Sequence, residues 1–270
     1  MDSKILLEEF ISFPVDNAKQ IMDKFATLPG AIYKTGNDPL QQFVYVPGAR
    51  KDRVVLVAHA DTVWDAVYGN PKQQKIVYID GVFQSADPDC GIGADDRAGC
   101  AMVWALRESG HSLLILSGEE KGKHGAKFLR DSYPILYKEL NGHCYMLEFD
   151  WAGSGGCLFN QVDNTKKFMK FVANDMGFAD SKKKGGCDLQ ILCKKICGVN
   201  LSVGWQNCHR NTESLVLSDW EKTYETMTAF LELPQRRFRI SQFIRLRKFA
   251  FKVKNKLGSI ARKLLGKNRN

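Results

Sequence analysis

Three apolar runs in this chain stop abruptly at ionisable residues, and that pattern limits what the chain can fold into. Residues 54–58 (VVLVA) lead directly into His59 and Asp61, residues 113–116 (LLIL) lead into Glu119 and Glu120, and residues 144–149 (CYMLEF) lead into Asp150. Apolar stretches this short, bounded by polar and glycine residues, fit strands. A strand end is a rigid edge on which hard metal ligands can be held. A further motif, GADDRAG at residues 93–99, sits between the first two and precedes a helical pattern.

The remaining chain alternates in the same way. Strands are expected over residues 43–46, 54–59, 75–79, 113–117, 144–149 and 198–203. Helices are expected over 4–12, 16–26, 96–107, 123–131, 165–174, 188–195 and 218–231. Asp80-Gly81 between Ile79 and Val82 signals a hairpin. Such alternation argues for an α/β fold, a three-layer α/β/α sandwich with a mixed central sheet. Functional residues in that architecture collect beyond strand ends at a switch point of the sheet. With 270 residues, 44% of them hydrophobic, the chain can bury a sizeable core.

Composition removes several alternatives. No apolar run approaches the roughly 20 residues of a membrane-spanning helix. The start MDSKILLEEF lacks the positive region and cleavage site of a signal peptide, so a cytoplasmic address is expected. Eight scattered cysteines fit reduced thiols. Cys193 and Cys197 have no second pair to complete a zinc knuckle. The net charge of +9 is a property of one end: residues 235–270 carry thirteen of the 39 Lys and Arg and no acid, leaving 26 bases against 30 acids in residues 1–234. The expected organisation is therefore a globular domain over 1–234 and a basic tail over 235–270.

The polar motifs carry the chemistry. His59 and Asp61 are two residues apart and leave one face of an extended segment, so the imidazole can bind a metal while the carboxylate orients its other nitrogen. A strand-end histidine satisfied by its neighbour has the same signature. Asp95 and Asp96 precede a helix, where capping uses one aspartate and the helix N-terminus favours negative charge. Glu119 and Glu120 repel unless solvated or held by a dication, and a dication would leave one as ligand and the other as general base.

In combination and order, AHAD, GADD, GEE, an aspartate and a final histidine, spanning residues 59–209, resemble the motifs of the co-catalytic di-zinc exopeptidases. That group includes bacterial aminopeptidases, peptidase T-like tripeptidases and glutamate-type carboxypeptidases. The resemblance implies two Zn2+ ions: His59 and Asp150 on one, Glu120 and His209 on the other, and Asp95 bridging. It makes Glu119 the general base, Asp61 the partner of His59, and the Asp95-Asp96 peptide cis. Glu148 competes with Asp150, since alternation sends both to one face, but only Asp150 lies beyond the expected strand end. His111, His124 and His143 match no ligand position. Cys208 is an adventitious candidate that the group does not use.

The implied activity is hydrolysis of a peptide bond at the end of a small peptide through a metal-bridging hydroxide, with deacylation of an N-acyl amino acid as the alternative on the same machinery. Only 58 residues separate Asp150 from His209, too few for a lid domain of roughly 50 residues besides the helices and strand they must supply. A lidless member is expected. Its substrate-binding residues are unknown; Trp205, Asn207 and Arg210 are candidates only by proximity to His209.

The tail reads differently. Leu246, Ala250, Val253, Leu257, Ile260 and Leu264 form one helical stripe among Arg and Lys. Such a helix fits an anionic membrane surface, which would put the protein at the inner face of a membrane, or packing on the acidic body; nucleic acid is less favoured. A non-catalytic module acting through this tail is the reading from another functional class. On the lipid reading, the full chain sediments with anionic vesicles and a chain lacking residues 235–270 does not. Equal sedimentation removes it.

Overall fold

The computed structural model describes residues 2–68, 74–159 and 162–240. The stripe of the basic tail lies outside the described residues. The chain opens with α1 (Ser3–Ser12) and α2 (Lys19–Ala26), followed by β1 (Ile32–Thr35), β2 (Gln42–Val46) and β3 (Val55–His59). A hairpin of β4 (Ile76–Ile79) and β5 (Val82–Ser85) precedes α3 (Ala94–Ala105), β6 (Ser112–Leu116), α4 (His124–Ser132) and α5 (Pro134–Leu140). Then come β7 (Met146–Trp151), β8 (Gly156–Leu158), α6 (Lys166–Asn174), β9 (Ala179–Asp180) and α7 (Leu189–Leu192). The last elements are β10 (Gly198–Ser202), β11 (Trp205–Gln206), β12 (Ser214–Val216) and α8 (Leu217–Glu232).

The expected three-layer α/β/α sandwich is present. Its central sheet runs β1-β2-β6-β3-β7-β10-β8-β9, with β6, β3, β7 and β10 parallel and β2 and β8 antiparallel to their inner neighbours. One face buries α1, α2, α3, α6 and α8 through residues such as Phe10, Phe25, Met102, Phe168 and Trp220. The other buries α4, α5 and α7 through Leu129, Leu140, Leu189 and Leu192. The chain order reverses about β3: the next parallel strand, β6, lies to one side and β7 and β10 to the other. The carboxyl ends of these strands therefore open on a crevice of the kind where α/β sheets bind ligands. The Asp80-Gly81 turn has positive φ at both residues, 47° and 83°, as a tight hairpin requires. That hairpin belongs to a small second sheet, β11-β12-β5-β4.

Helix α3 reaches β7 because Gly99 lacks a side chain. A Cβ there would overlap the carbonyl oxygen of Phe149 and the Asp96 carboxylate.

Several boundaries differ from expectation, for local reasons. α2 begins at Lys19 rather than residue 16, because side chains take the preceding carbonyls: Thr62 Oγ1 donates to Val15 (2.8 Å) and Arg97 to Pro14 (2.7 Å) and Asn17 (3.1 Å). The expected helix over 188–195 is only the single turn α7, since Asn141 Oδ1 accepts the backbone N–H groups of Lys194 and Lys195, both at 2.8 Å. β7 extends through Trp151, so Asp150 is the penultimate residue of the strand instead of lying beyond it. Helix α5 and the two- to four-residue strands β1, β8, β9, β11 and β12 went unanticipated.

Residues 235–240, the start of the expected tail, pack on the domain. The Phe238 N–H donates to Cys144 and its carbonyl accepts from Cys197, both at 3.0 Å. Its ring lies against Tyr145, Phe168 and Phe171. A lipid test therefore cuts the chain after Ile240. Among the described residues no helix is long and apolar enough to cross a membrane.

Two histidines outside the motifs are structural. His111 Nδ1 accepts the Val54 N–H at 3.1 Å, and its Nε2 lies 3.1 Å from the Leu231 carbonyl. His143 is buried, with Nδ1 3.1 Å from the Glu139 carbonyl and Nε2 accepting from Arg53 Nε at 3.0 Å. Burial lowers the His143 pKa to about 4, against about 6.5 in the unfolded chain. Protonation favours the unfolded chain, so this contribution is complete above about pH 6.5 and is lost as pH falls toward 4. Between pH 7 and 5 it amounts to at most about 2 kcal/mol. The urea midpoint of His143→Gln should accordingly fall less over that interval than that of the parent protein.

Candidate active site

His59 closes β3 and is 1% exposed. Its Nδ1 meets the Asp61 carbonyl at 3.0 Å and the Asp61 carboxylate at 3.5 Å. Its Nε2 is thereby turned into the crevice, 3.2 Å from Asp95 Oδ1 and 3.6 Å from Asp150 Oδ1. The backbone carbonyl, rather than the side chain expected for that role, is the nearer partner of the ring. The Asp61 carboxylate does something else as well: it accepts the N–H groups of Glu119 (3.2 Å) and Glu120 (3.3 Å). One aspartate at the end of β3 thus fixes the loop that follows β6.

Asp95 lies between two groups of donor atoms. While Oδ1 faces His59, Oδ2 is 3.2 Å from His209 Nε2, which is itself 3.0 Å from Glu120 Oε1. The resulting order is Asp150, His59, Asp95, His209, Glu120. All five expected ligands come together, from two strand ends, one helix start and two loops. Asp96 neighbours the His59 group, but its oxygens are engaged: Oδ2 accepts the His59 N–H at 3.1 Å and Oδ1 the Gly99 N–H at 2.9 Å. It ties α3 to β3. The peptide bond between Asp95 and Asp96 is cis.

Glu148 and Asp150 leave the same face of β7 at different depths. Glu148, one pleat deeper, accepts the N–H groups of Asp188 (3.0 Å) and Leu189 (3.4 Å) at the start of α7. Asp150 is held by Asn200, which accepts its N–H at 2.8 Å and donates to its Oδ2 at 3.3 Å, leaving Oδ1 directed at His59. Glu119 is 9% exposed, and its carboxylate pairs with Lys123 Nζ at 2.8 Å. Burial pulls the Lys123 pKa down, but the Glu119 charge more than offsets this and the net shift is upward.

Electrostatics and unmet hydrogen bonds test whether a metal fits. Asp95 Oδ1, Glu120 Oε1 and Asp150 Oδ1 are buried without a well-aligned hydrogen bond. Burial, and then the Asp95 charge, push Glu120 up to about 7 and Asp150 well above the usual carboxylate range. Contacts with Asp95 and Glu120 raise His209 to about 10. Burial opposes the ionisation of Asp95, yet the two imidazoles outweigh it and hold the pKa low. Buried carboxylates converging on imidazoles, with oxygens left over, are a donor set suited to divalent cations. Among the described residues, Cys193 and Cys197 enter no such group.

Three supports escaped the sequence reading. Glu213 is 1% exposed and accepts the N–H groups of Gly93 (2.7 Å) and Asp95 (3.0 Å), fastening the loop that carries Asp95. Nothing marks it in sequence beyond its place four residues after His209. Asn200 had a visible signal, a lone amide inside an apolar strand. Arg97 is fully buried and crosses from α3 to the carbonyls of Ala60, Pro14 and Asn17. Of the substrate candidates, Trp205 is a core residue at 6% exposure, whereas Asn207 and Arg210 are exposed on the loop around His209. A cavity of about 550 Å³ lined by Thr35, Gln41, His124, Lys127, Phe128 and Tyr133 contains none of the converging residues.

The fold is that of solved peptidases. Aminopeptidase PepT from Bacillus cereus superposes with a TM-score of 0.63 at 17% identity, covering 86% of this chain and 98% of its own. A Staphylococcus aureus tripeptidase gives 0.63 at 14% identity over 86% and 98%. The Pyrococcus horikoshii TET1 peptidase, described as assembling into a tetrahedron or a large octahedral shell, gives 0.58 at 16% over 85% and 99%. A further match, from Thermotoga maritima, is described as an endoglucanase. No family model and no curated protein matches the chain.

Glu213 gives a direct check of the supporting layer. Glu213→Ala should weaken the binding of added zinc by about ten- to a hundred-fold, read by competition with a chromogenic chelator. Glu213→Gln, which keeps an acceptor oxygen, should lose less.

Proposed function

We propose that this chain is a zinc-dependent exopeptidase cleaving the terminal peptide bond of small peptides at a two-metal centre. The observation that carries the reading is Asp95, one oxygen facing His59 and the other His209, between two groups of otherwise unsatisfied donors. His59, Asp95 and Asp150 would hold one ion, and Asp95, Glu120 and His209 the other. Zinc bound there supplies Lewis-acid polarisation of a carbonyl and acidification of water.

The protein's own residues do the rest. Glu119 stands beside Glu120, and the N–H of each is tied to the Asp61 carboxylate, so the Glu119 carboxylate is presented at the same crevice. It takes a proton from the attacking water and delivers it to the departing amine. Lys123 Nζ pairs with that carboxylate at 2.8 Å. Asn200 and Glu213 hold Asp150 and Asp95 in place, and the Asp61 carbonyl selects the His59 tautomer that leaves Nε2 unprotonated.

The fold shared with aminopeptidases and tripeptidases supports peptides as the substrate class. Glycoside hydrolysis uses two carboxyl groups flanking a sugar, whereas here the carboxylates converge on two imidazoles. The alternative on the same machinery remains deacylation of N-acyl amino acids. A panel of aminoacyl, dipeptide, N-acyl amino acid and glucan substrates separates these readings.

Glu119→Gln should lower turnover by about 10²- to 10⁴-fold, with zinc content near two per chain by elemental analysis. Removal of metal by a chelator should abolish turnover in the parent enzyme. Undiminished activity in either experiment contradicts the assignment.

A further inference from the structure

One side chain at the crevice has chemistry that the proposed roles leave unused. Cys208 precedes His209, and its Sγ, a carboxylate oxygen of Asp95 and a ring nitrogen of His209 lie within 4.8 Å of one another. Glu120 Oε1 is 3.0 Å from His209 Nε2; its side chain is 6% exposed and this oxygen accepts no well-aligned hydrogen bond. Adjacent residues of an extended chain point to opposite sides. Here Asn207 and His209 both have left-handed backbones, with φ of 54° and 63°, and the turn brings consecutive side chains to one point.

We propose that Cys208 supplies a sulfur ligand to the metal position formed by Asp95, Glu120 and His209, so that the two positions of the centre differ in chemistry. This rests on the metal-centre reading above. The position at His59 and Asp150 then has only nitrogen and oxygen donors, while its neighbour gains a thiolate. Soft sulfur favours zinc, cadmium and cobalt over magnesium and manganese. Ligation releases the Sγ proton to solvent, and the sulfur lone pair forms the bond to the metal. Cys208 is half-buried, and metal occupying the position would cover its sulfur.

Cobalt(II) titration of the metal-free protein tests this without relying on turnover. Visible ligand-field bands report that metal binds at all, and a near-ultraviolet sulfur-to-cobalt charge-transfer band reports a thiolate ligand. The expected result is both sets of bands in the parent protein, with Cys208→Ser keeping the visible bands and losing the near-ultraviolet one. Alkylation of Cys208 by iodoacetamide, followed by peptide mass spectrometry on the unmutated protein, should slow about tenfold when cobalt is bound. It also decides the matter should the variant fold poorly. Identical near-ultraviolet spectra in parent and variant, or alkylation unaffected by bound cobalt, overturn the sulfur ligand and leave the metal centre standing. Absence of visible bands in the parent protein overturns both.

Discussion

The Asp95 carboxylate is buried, faces an imidazole through each oxygen, and has to remain charged there. Desolvation works against it, and much of the surrounding structure offsets that cost. Glu213 accepts the N–H groups on either side of Ala94 and so fixes the backbone of Asp95. Asp96 locks the next residue to the His59 N–H and to the first turn of α3. Gly99 lets that helix lie against β7 without a side chain between them. Moving any of these supports would shift the one carboxylate that both donor groups share.

Sheet topology brings the other donors to it. Because β6 and β7 flank β3 on opposite sides, their carboxyl ends deliver Glu120, His59 and Asp150 to a single crevice, although the residues are dispersed over some ninety positions of sequence. The β3 end then reaches across: Asp61 takes the N–H groups of Glu119 and Glu120, so the loop after β6 is registered against the strand that carries His59. In the roles proposed for them, a general base and a metal ligand on consecutive residues can be held apart only if their backbone is fixed. That fixing comes from a third residue, Asp61, just past the end of β3.

Unmet hydrogen bonds distinguish Asp150 from Glu148 on the same strand face, although Asp188, outside the converging group, also keeps both buried carboxylate oxygens without a hydrogen-bond partner. Glu148 is also fully buried and acidic, yet its oxygens are met by the N–H groups at the start of α7. Asp95, Glu120 and Asp150 each keep a buried oxygen with no such partner. Groups left this way are costly unless something positive completes them. The contrast between Glu148 and Asp150, two residues apart on one strand face, shows that the distinction lies in what the neighbouring elements present.

Much of this was legible in one dimension. The apolar runs with ionisable ends placed the central strands, and the alternation of strand and helix placed the layers, because both reflect local periodicities of side-chain burial. The five donor residues, Glu119 and Asp61 could be named from motif order. What could not be read was set by contacts between distant segments. The late start of α2 depends on Thr62 and Arg97 taking its carbonyls, and the shortness of α7 on Asn141 taking its N–H groups. Glu213 and Asn200 acquire meaning only beside Asp95 and Asp150, and Cys208 only through the turn that brings it to His209. Residue order alone dictates which side chains can carry charge at strand ends. The tertiary structure decided which of them stay unsatisfied there, because hydrogen-bond partners are supplied by elements that meet only in the folded chain.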